Sequence, residues 1–162
     1  MKKEIADIRS DYQLQSLDIE DVSLNVFEQF GKWWGEAINS EIYEVNAMTL
    51  ATATRDGKPS ARIVLLKDYD DSGFVFFTNY NSHKGSELAE NPFAALVFFW
   101  KELERQIRIE GSIEKVSNEE SDAYFYSRPV GSRIGAWASP QSTIIENRSV
   151  LDENVNMVTE KF

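Results

Sequence analysis

The sequence predicts a mainly β chain, with antiparallel strands closed into a Greek-key-like barrel and helices flanking it. Two observations carry that reading. Between residues 46 and 116, short apolar and β-branched runs follow one another as hairpins, divided by the turn sequences Asp56-Gly57 and Asp70-Asp71-Ser72-Gly73. Helical periodicity falls mostly at the two ends of the chain and does not alternate with strands, which disfavours a βαβ array. A third observation excludes an alternative: no G-x-G-x-x-G or Walker sequence is present, so neither a dinucleotide-binding nor a P-loop fold is expected.

Taken in order, residues 1–20 mix charge with little periodicity and read as an arm or a short helix. In the stretch 23–40, Leu24, Phe27, Phe30, Trp34, Ala37 and Ile38 recur at spacings of three and four. This is one face of an amphipathic helix, with Asp21 or Ser23 as its cap. Strands are predicted from Ala47 to Thr54, Pro59 to Lys67 and Gly73 to Thr78. A short helix, Ser82 to Glu90, ends at Asn91-Pro92, and two more strands cover Phe93 to Lys101 and Arg105 to Val116. Ser117-Asn118-Glu119-Glu120 has the capping-box pattern and opens a helix to about Ser127, interrupted at Pro129. Further helix is expected around Ile134 to Ala138 and from Ser149 to Phe162. With no repeat or linker, the 162 residues read as a single domain: arm 1–20, helix 23–40, barrel strands 46–116 and helical segment 117–162.

Composition narrows the function. A formal charge of −10 argues against nucleic-acid binding, which draws most of its affinity from a basic surface. A small anionic ligand needs only a few converging cations and stays open. The absence of cysteine removes disulfides and thiol nucleophiles, and a single histidine disfavours a His-based metal site, so no metal is expected. The longest apolar run, Phe93 to Trp100, is strand-sized and predicts no membrane span. No apolar stretch follows the N-terminal lysines, so no signal peptide is read there and a cytoplasmic location is the default.

Three basic clusters stand out. In Arg62-Ile-Val-Leu-Leu-Lys67, an unbroken strand sends the two cations to opposite faces; alone, the segment reads as a buried strand with charged ends. Ser82-His83-Lys84 opens a helix, where free N–H groups favour an anion, although plain capping with Lys84 solvated explains it as well. Tyr124, Arg128 and Ser132 follow at spacings of four and suit one phosphate if the Pro129 turn keeps them together. Packing of Tyr124 and C-capping by Arg128 is the simpler account. Gln106 reads as a solvated strand residue, Gln141-Ser142 as loop, and Trp33, Trp34, Trp100 and Trp137 as core or interface. His83 has no Ser-His-Asp context to make it a general base, so an organic cofactor is expected to carry any difficult step.

Together these segments resemble the pyridoxamine/pyridoxine 5′-phosphate oxidase family. The resemblance spans Ala47 to about Leu151. It rests on Arg62–Lys67, Phe76-Phe-Thr-Asn79, Ser82-His-Lys84, Leu103-Glu-Arg-Gln106, Tyr124-Phe-Tyr-Ser-Arg-Pro129, Ser132-Arg-Ile-Gly-Ala-Trp137 and Ser139-Pro-Gln-Ser142. It implies an FMN-binding split β-barrel and a homodimer with FMN in the clefts between subunits. By the same resemblance, Arg62 and Lys84 hold the FMN phosphate, with His83 beside them. Residues Arg62, Ile63, Val64 and Leu65, together with Lys67, Phe77, Thr78, Gln106, Gln141 and Ser142, complete the cofactor set. Lys67, Tyr124, Arg128 and Ser132 hold the substrate phosphate, and Arg9 and Tyr12 resemble an N-terminal element that covers the site.

The implied reaction is FMN-dependent oxidation of pyridoxamine or pyridoxine 5′-phosphate to pyridoxal 5′-phosphate, with dioxygen reduced to hydrogen peroxide. The alternatives are a non-catalytic flavin- or pyridoxal-phosphate-binding protein, or another flavin oxidoreductase on the same barrel. Two departures from the family pattern stand in the sequence. His83 occupies a position where the family usually carries arginine. The family's further C-terminal strands, with an FMN-contacting tryptophan and an Arg-x-His motif, have no counterpart here, so no catalytic residue is assigned. The helical pattern at Lys161-Phe162 carries no stop signal and reads as a truncated or continuing chain.

Overall fold

The computed structural model describes residues 4–9, 11–14 and 16–161. The reading of helix at Phe162, and parts of the arm, lie outside these. Short 3-10 turns at Ile5–Asp7 and Ile19–Asp21 are the only helical pieces of the described arm. Helix α1 runs Val26–Asn39 and is capped by Asn25, whose side chain accepts from the Phe27 and Glu28 N–H groups. The cap therefore lies two to four residues later than the sequence suggests. Ser23 is instead drawn into a backbone hydrogen bond to the Gln29 side chain, at 2.7 Å.

Strands β1 (Ala47–Ala53), β2 (Pro59–Leu65), β5 (Phe93–Trp100) and β6 (Arg105–Ser112) form one antiparallel sheet in the order β2-β1-β5-β6. The chain leaves this sheet after β2, makes the small hairpin β3 (Asp68–Asp70) and β4 (Gly73–Val75), and returns as β5 on the free side of β1. That return is the Greek-key-like step. All five predicted strands run past the observed ends, β1 and β5 by one residue and the other three by more. Strand β2 stops at Leu65 because the Leu66 N–H turns to the Asn46 carbonyl and the Lys67 N–H to that of Val75. Strand β4 ends at Val75, short of Thr78, and β6 at Ser112, short of Val116.

Alternation sorts the sheet into two faces. Met48, Leu50, Leu96, Phe98 and Trp100 point inward and are buried, and Phe30 of α1 inserts among them. The Phe30 ring lies 4.8 Å from both Tyr69 and Phe74 of the hairpin and 5.5 Å from Phe98, so one aromatic residue joins helix, hairpin and sheet. On the outward face Ile63, Phe93 and Phe99 remain 65%, 65% and 60% exposed.

Helix α2 (His83–Glu90) is capped by Ser82, whose side chain accepts from the Gly85 N–H, so it starts one residue later than the sequence suggests. Helix α3 (Asn118–Ser127) is capped by the Ser117 hydroxyl accepting from the Glu120 N–H. Helix α4 (Val130–Ala138) starts directly after Pro129, and α5 (Ser149–Lys161) packs against it. Among the described residues no helix is long and apolar enough to cross a membrane.

Candidate functional site

The inward alternation of β1 and β2 has polar exceptions at one end of the sheet: Thr52, Ser60 and Arg62 occupy positions where Met48, Leu50 and Val64 are apolar. Helix α2 lies against this end and delivers Glu87, whose side chain is 3% exposed. Arg62 is held there by four hydrogen bonds. Its Nη1 donates to the Leu50 carbonyl (3.3 Å) and Thr52 Oγ1 (2.5 Å), and its Nη2 to Ser60 Oγ (2.5 Å) and Glu87 Oε2 (3.1 Å). The Thr52 hydroxyl in turn donates to Glu87 Oε2 at 2.6 Å, and His83 Nε2 lies 3.5 Å from Glu87 Oε1. Burial pushes the Glu87 carboxyl up, but the hydrogen bonds from Thr52 and Arg62 and the charges of His83 and Arg62 outweigh it. The net effect holds the group below the usual glutamate range.

Lys84 stands in the first turn of the same helix. Its Nζ donates to Ser82 Oγ (3.1 Å) and to Oε1 of Gln141 (2.6 Å), a residue 57 positions away. Burial pushes the ammonium below the usual lysine range, and the neighbouring charge of Arg62 pushes the same way. Two cations and the start of a helix therefore share one corner, an arrangement suited to an anion. The corner is tightly built. A Cβ on Gly85 would lie 2.2 Å from the Tyr80 carbonyl oxygen, so only glycine lets α2 begin against the preceding turn. Ser142, next to Gln141, takes a left-handed backbone with φ of 65°, unusual for serine.

The segment leading into this corner borders a cavity of about 280 Å³ whose lining includes Lys67, Asp68, Phe77, Glu120 and Tyr124. The Phe77 and Tyr124 rings stack at 3.8 Å and 5°, and Lys67 Nζ lies 5.8 Å from the Tyr124 ring centre. Next to Phe77, the Thr78 hydroxyl is buried with no hydrogen-bond partner.

Several sequence-predicted residues thus gather into two adjoining groups: Arg62, His83, Lys84 and Gln141 in one, Lys67, Phe77 and Tyr124 in the other. The strand-parity argument for Arg62 and Lys67 does not apply, because the strand ends between them. Val64 faces inward; Ile63 and Leu65 face outward, as does Gln106, which pairs with Phe99 on the exposed side. The spacing-of-four series is not one helical face. Arg128 is extended between α3 and α4, and Ser132 lies exposed in the first turn of α4. Arg9 and Tyr12 are exposed on the arm, where Arg9 bonds only locally to the Ala6 carbonyl. The sequence reading missed Thr52, Ser60 and Glu87. For Thr52 and Ser60 the signal was the polar interruption of an inward apolar alternation; Glu87, on α2, carried none.

Comparison with known proteins agrees with this architecture. PhzG from Burkholderia lata 383, solved in complex with tetrahydrophenazine-1-carboxylic acid, superposes with a TM-score of 0.83 at 30% identity, covering 88% of this chain and 70% of that one. A pyridoxamine 5′-phosphate oxidase-related, FMN binding protein from Nostoc punctiforme PCC 73102 superposes at 0.60 and 18% identity, covering 81% and 73%, and shares the fold. The class is that of the split-barrel, oxidase-like proteins, mostly antiparallel sheet with flanking helices. The family profile described as pyridoxamine 5′-phosphate oxidase matches residues 35–162. A pyridoxine/pyridoxamine 5′-phosphate oxidase of Trichormus variabilis is 59% identical over 162 residues, covering all of this chain and 76% of that protein. Its counterpart in Paraburkholderia phymatum is 63% identical over 148 residues, covering 91% of this chain and 70% of that protein. The chain belongs to the pyridoxamine 5′-phosphate oxidase family.

Proposed function

We propose that this chain binds FMN and oxidises pyridoxamine or pyridoxine 5′-phosphate to pyridoxal 5′-phosphate, with dioxygen as acceptor and hydrogen peroxide as product. The observation that carries the reading is the two-cation corner at the start of α2, joined through residues 77–81 to the cavity of Lys67, Phe77 and Tyr124. The donor set suits a flavin mononucleotide. Lys84, the first N–H groups of α2 and the charge of Arg62 fit a phosphate ester, and the unpartnered Thr78 hydroxyl fits a polar atom of the ring system.

In this reading Lys84 is the direct phosphate ligand. Arg62 acts through its charge and its remaining Nε–H, because its four terminal N–H donors are already engaged. Gln141 and Ser142 close the corner from the far side, and Ile63, Val64, Leu65 and Gln106 complete the cofactor surface. Lys67, Tyr124, Arg128 and Ser132 hold the substrate phosphate, and Arg9 and Tyr12 on the arm cover it. When bound, FMN supplies a two-electron acceptor for the substrate carbon, which dioxygen regenerates. The residues' own contribution is orientation, worth about 7–11 kcal/mol in well-aligned systems. Holding a distant phosphate is how such enzymes direct binding energy to the reacting carbon.

The active form in this reading is a homodimer built on the outward sheet face, where Ile63, Phe93 and Phe99 leave apolar surface in water. The test is an absorbance spectrum of the purified chain, followed by pyridoxamine 5′-phosphate with oxygen and peroxide detection. Flavin bands with peroxide release are expected. Flavin bands without turnover would replace the oxidase reading with a non-catalytic flavin-binding one, and failure to take up FMN would overturn the cofactor assignment.

A further inference from the structure

Glu87 is an almost fully buried carboxylate with no part in the phosphate chemistry described above. As a negative charge beside an anion site it would be unfavourable unless it does something else. Its surroundings indicate what that is. Oε2 accepts from Thr52 Oγ1 at 2.6 Å and from Arg62 Nη2 at 3.1 Å, while Thr52 Oγ1 also accepts from Arg62 Nη1. Carboxylate, hydroxyl and guanidinium form a closed ring in which every donor has an acceptor. Ser60 and the Leu50 carbonyl fix the guanidinium on its remaining edges. Such a ring allows the Arg62 fork one orientation. It also anchors α2 to the sheet, and α2 is the helix that carries Lys84.

We propose that Glu87 is a positioning residue for the cofactor phosphate: it fixes Arg62, and through it the charge facing Lys84, so that the corner is set before the anion arrives. This rests on the FMN reading above. It requires that the reach of Glu87 matter more than its charge, since the charge by itself opposes a phosphate.

The experiment compares FMN with riboflavin, which lacks the phosphate, by flavin fluorescence quenching on the cofactor-free full-length chain. The variants are Glu87→Gln and Glu87→Asp, with thermal melts to show that each folds. Glutamine keeps the acceptor at its full reach and removes the charge; aspartate keeps the charge and withdraws it by one methylene. Wild type should prefer FMN. If it shows no preference, the phosphate assignment falls, and this inference with it. Given that preference, Glu87→Asp should reduce the FMN-to-riboflavin affinity ratio roughly tenfold, the size of one lost charge-assisted hydrogen bond, and Glu87→Gln should preserve it. A ratio raised in either variant would show Glu87 competing with phosphate for Arg62 and would overturn the proposal. Equal losses for both flavins would reduce Glu87 to general structural support and would overturn it too.

Discussion

At the scale of single residues, the corner around Arg62 and Lys84 is governed by charges kept out of water. Glu87 titrates in the folded protein below its ordinary value of 4.5. Its stabilising contribution is therefore complete above pH 4.5 and is lost as pH falls through the lowered folded value. Urea unfolding of wild type and Glu87→Gln should show a stability gap that narrows on acidification through this window. Lys84 works in the opposite range, its ammonium lowered from 10.5. Below that lowered value it is charged with or without phosphate, and affinity for FMN is flat. Above it, binding has to recruit a proton, so affinity should decline before the ordinary lysine range is reached. Titrations between pH 7 and 10 check this, with Lys84→Arg expected to abolish the decline. Thr78 gives a third expectation. Its buried hydroxyl lacks a partner, so Thr78→Val should leave the cofactor-free chain as stable or about 1 kcal/mol more stable, while weakening FMN binding. Calorimetric melts with and without FMN separate the two effects. The cations of this corner were legible in the sequence because charge is a property of residue type. Their anchors were less so: Thr52 shows only as a polar residue among inward apolar ones, Glu87 has ordinary neighbours, and only the crossing of α2 over the end of β1 joins them.

Among the elements, hairpins and helices were readable wherever turn chemistry or periodicity was local, as at Asp56-Gly57, Ser82 and Ser117. Strand ends were not, because they are set by partners distant in sequence. Strand β2 stops where the Asn46 carbonyl captures Leu66, and nothing in the Arg62–Lys67 hexapeptide announces it. The start of α1 shifted for a comparable reason. Asn25 competes with Ser23 as a cap, and Gln29 engages Ser23 from within the helix. Two substitutions probe how far these elements depend on single contacts. Phe30→Ala removes the ring shared by helix, hairpin and sheet and should cost about 3–5 kcal/mol in chemical denaturation. Gly85→Ala drives a methyl group into the Tyr80 carbonyl. It should cost about 1–3 kcal/mol and, by shifting the first turn of α2, weaken FMN binding beyond the stability loss.

For the molecule as a whole, the two faces of the main sheet differ in what covers them. One is filled by α1 and the β3–β4 hairpin; the other presents Ile63, Phe93 and Phe99 to solvent. If that face joins two copies, Phe99→Lys should shift sedimentation from dimer to monomer and lower flavin occupancy in the same preparation, since Gln106 lies opposite Phe99 in the ladder. The hydrogen bond between Lys84 and Gln141 has a consequence of another kind. On the ribosome, every strand of the sheet and the whole Arg62 network are synthesised before Gln141 emerges. The charged corner is thus supplied in two instalments: the Arg62 network lies wholly within residues 50–87, and Lys84 gains its last partner only once Gln141 has been added.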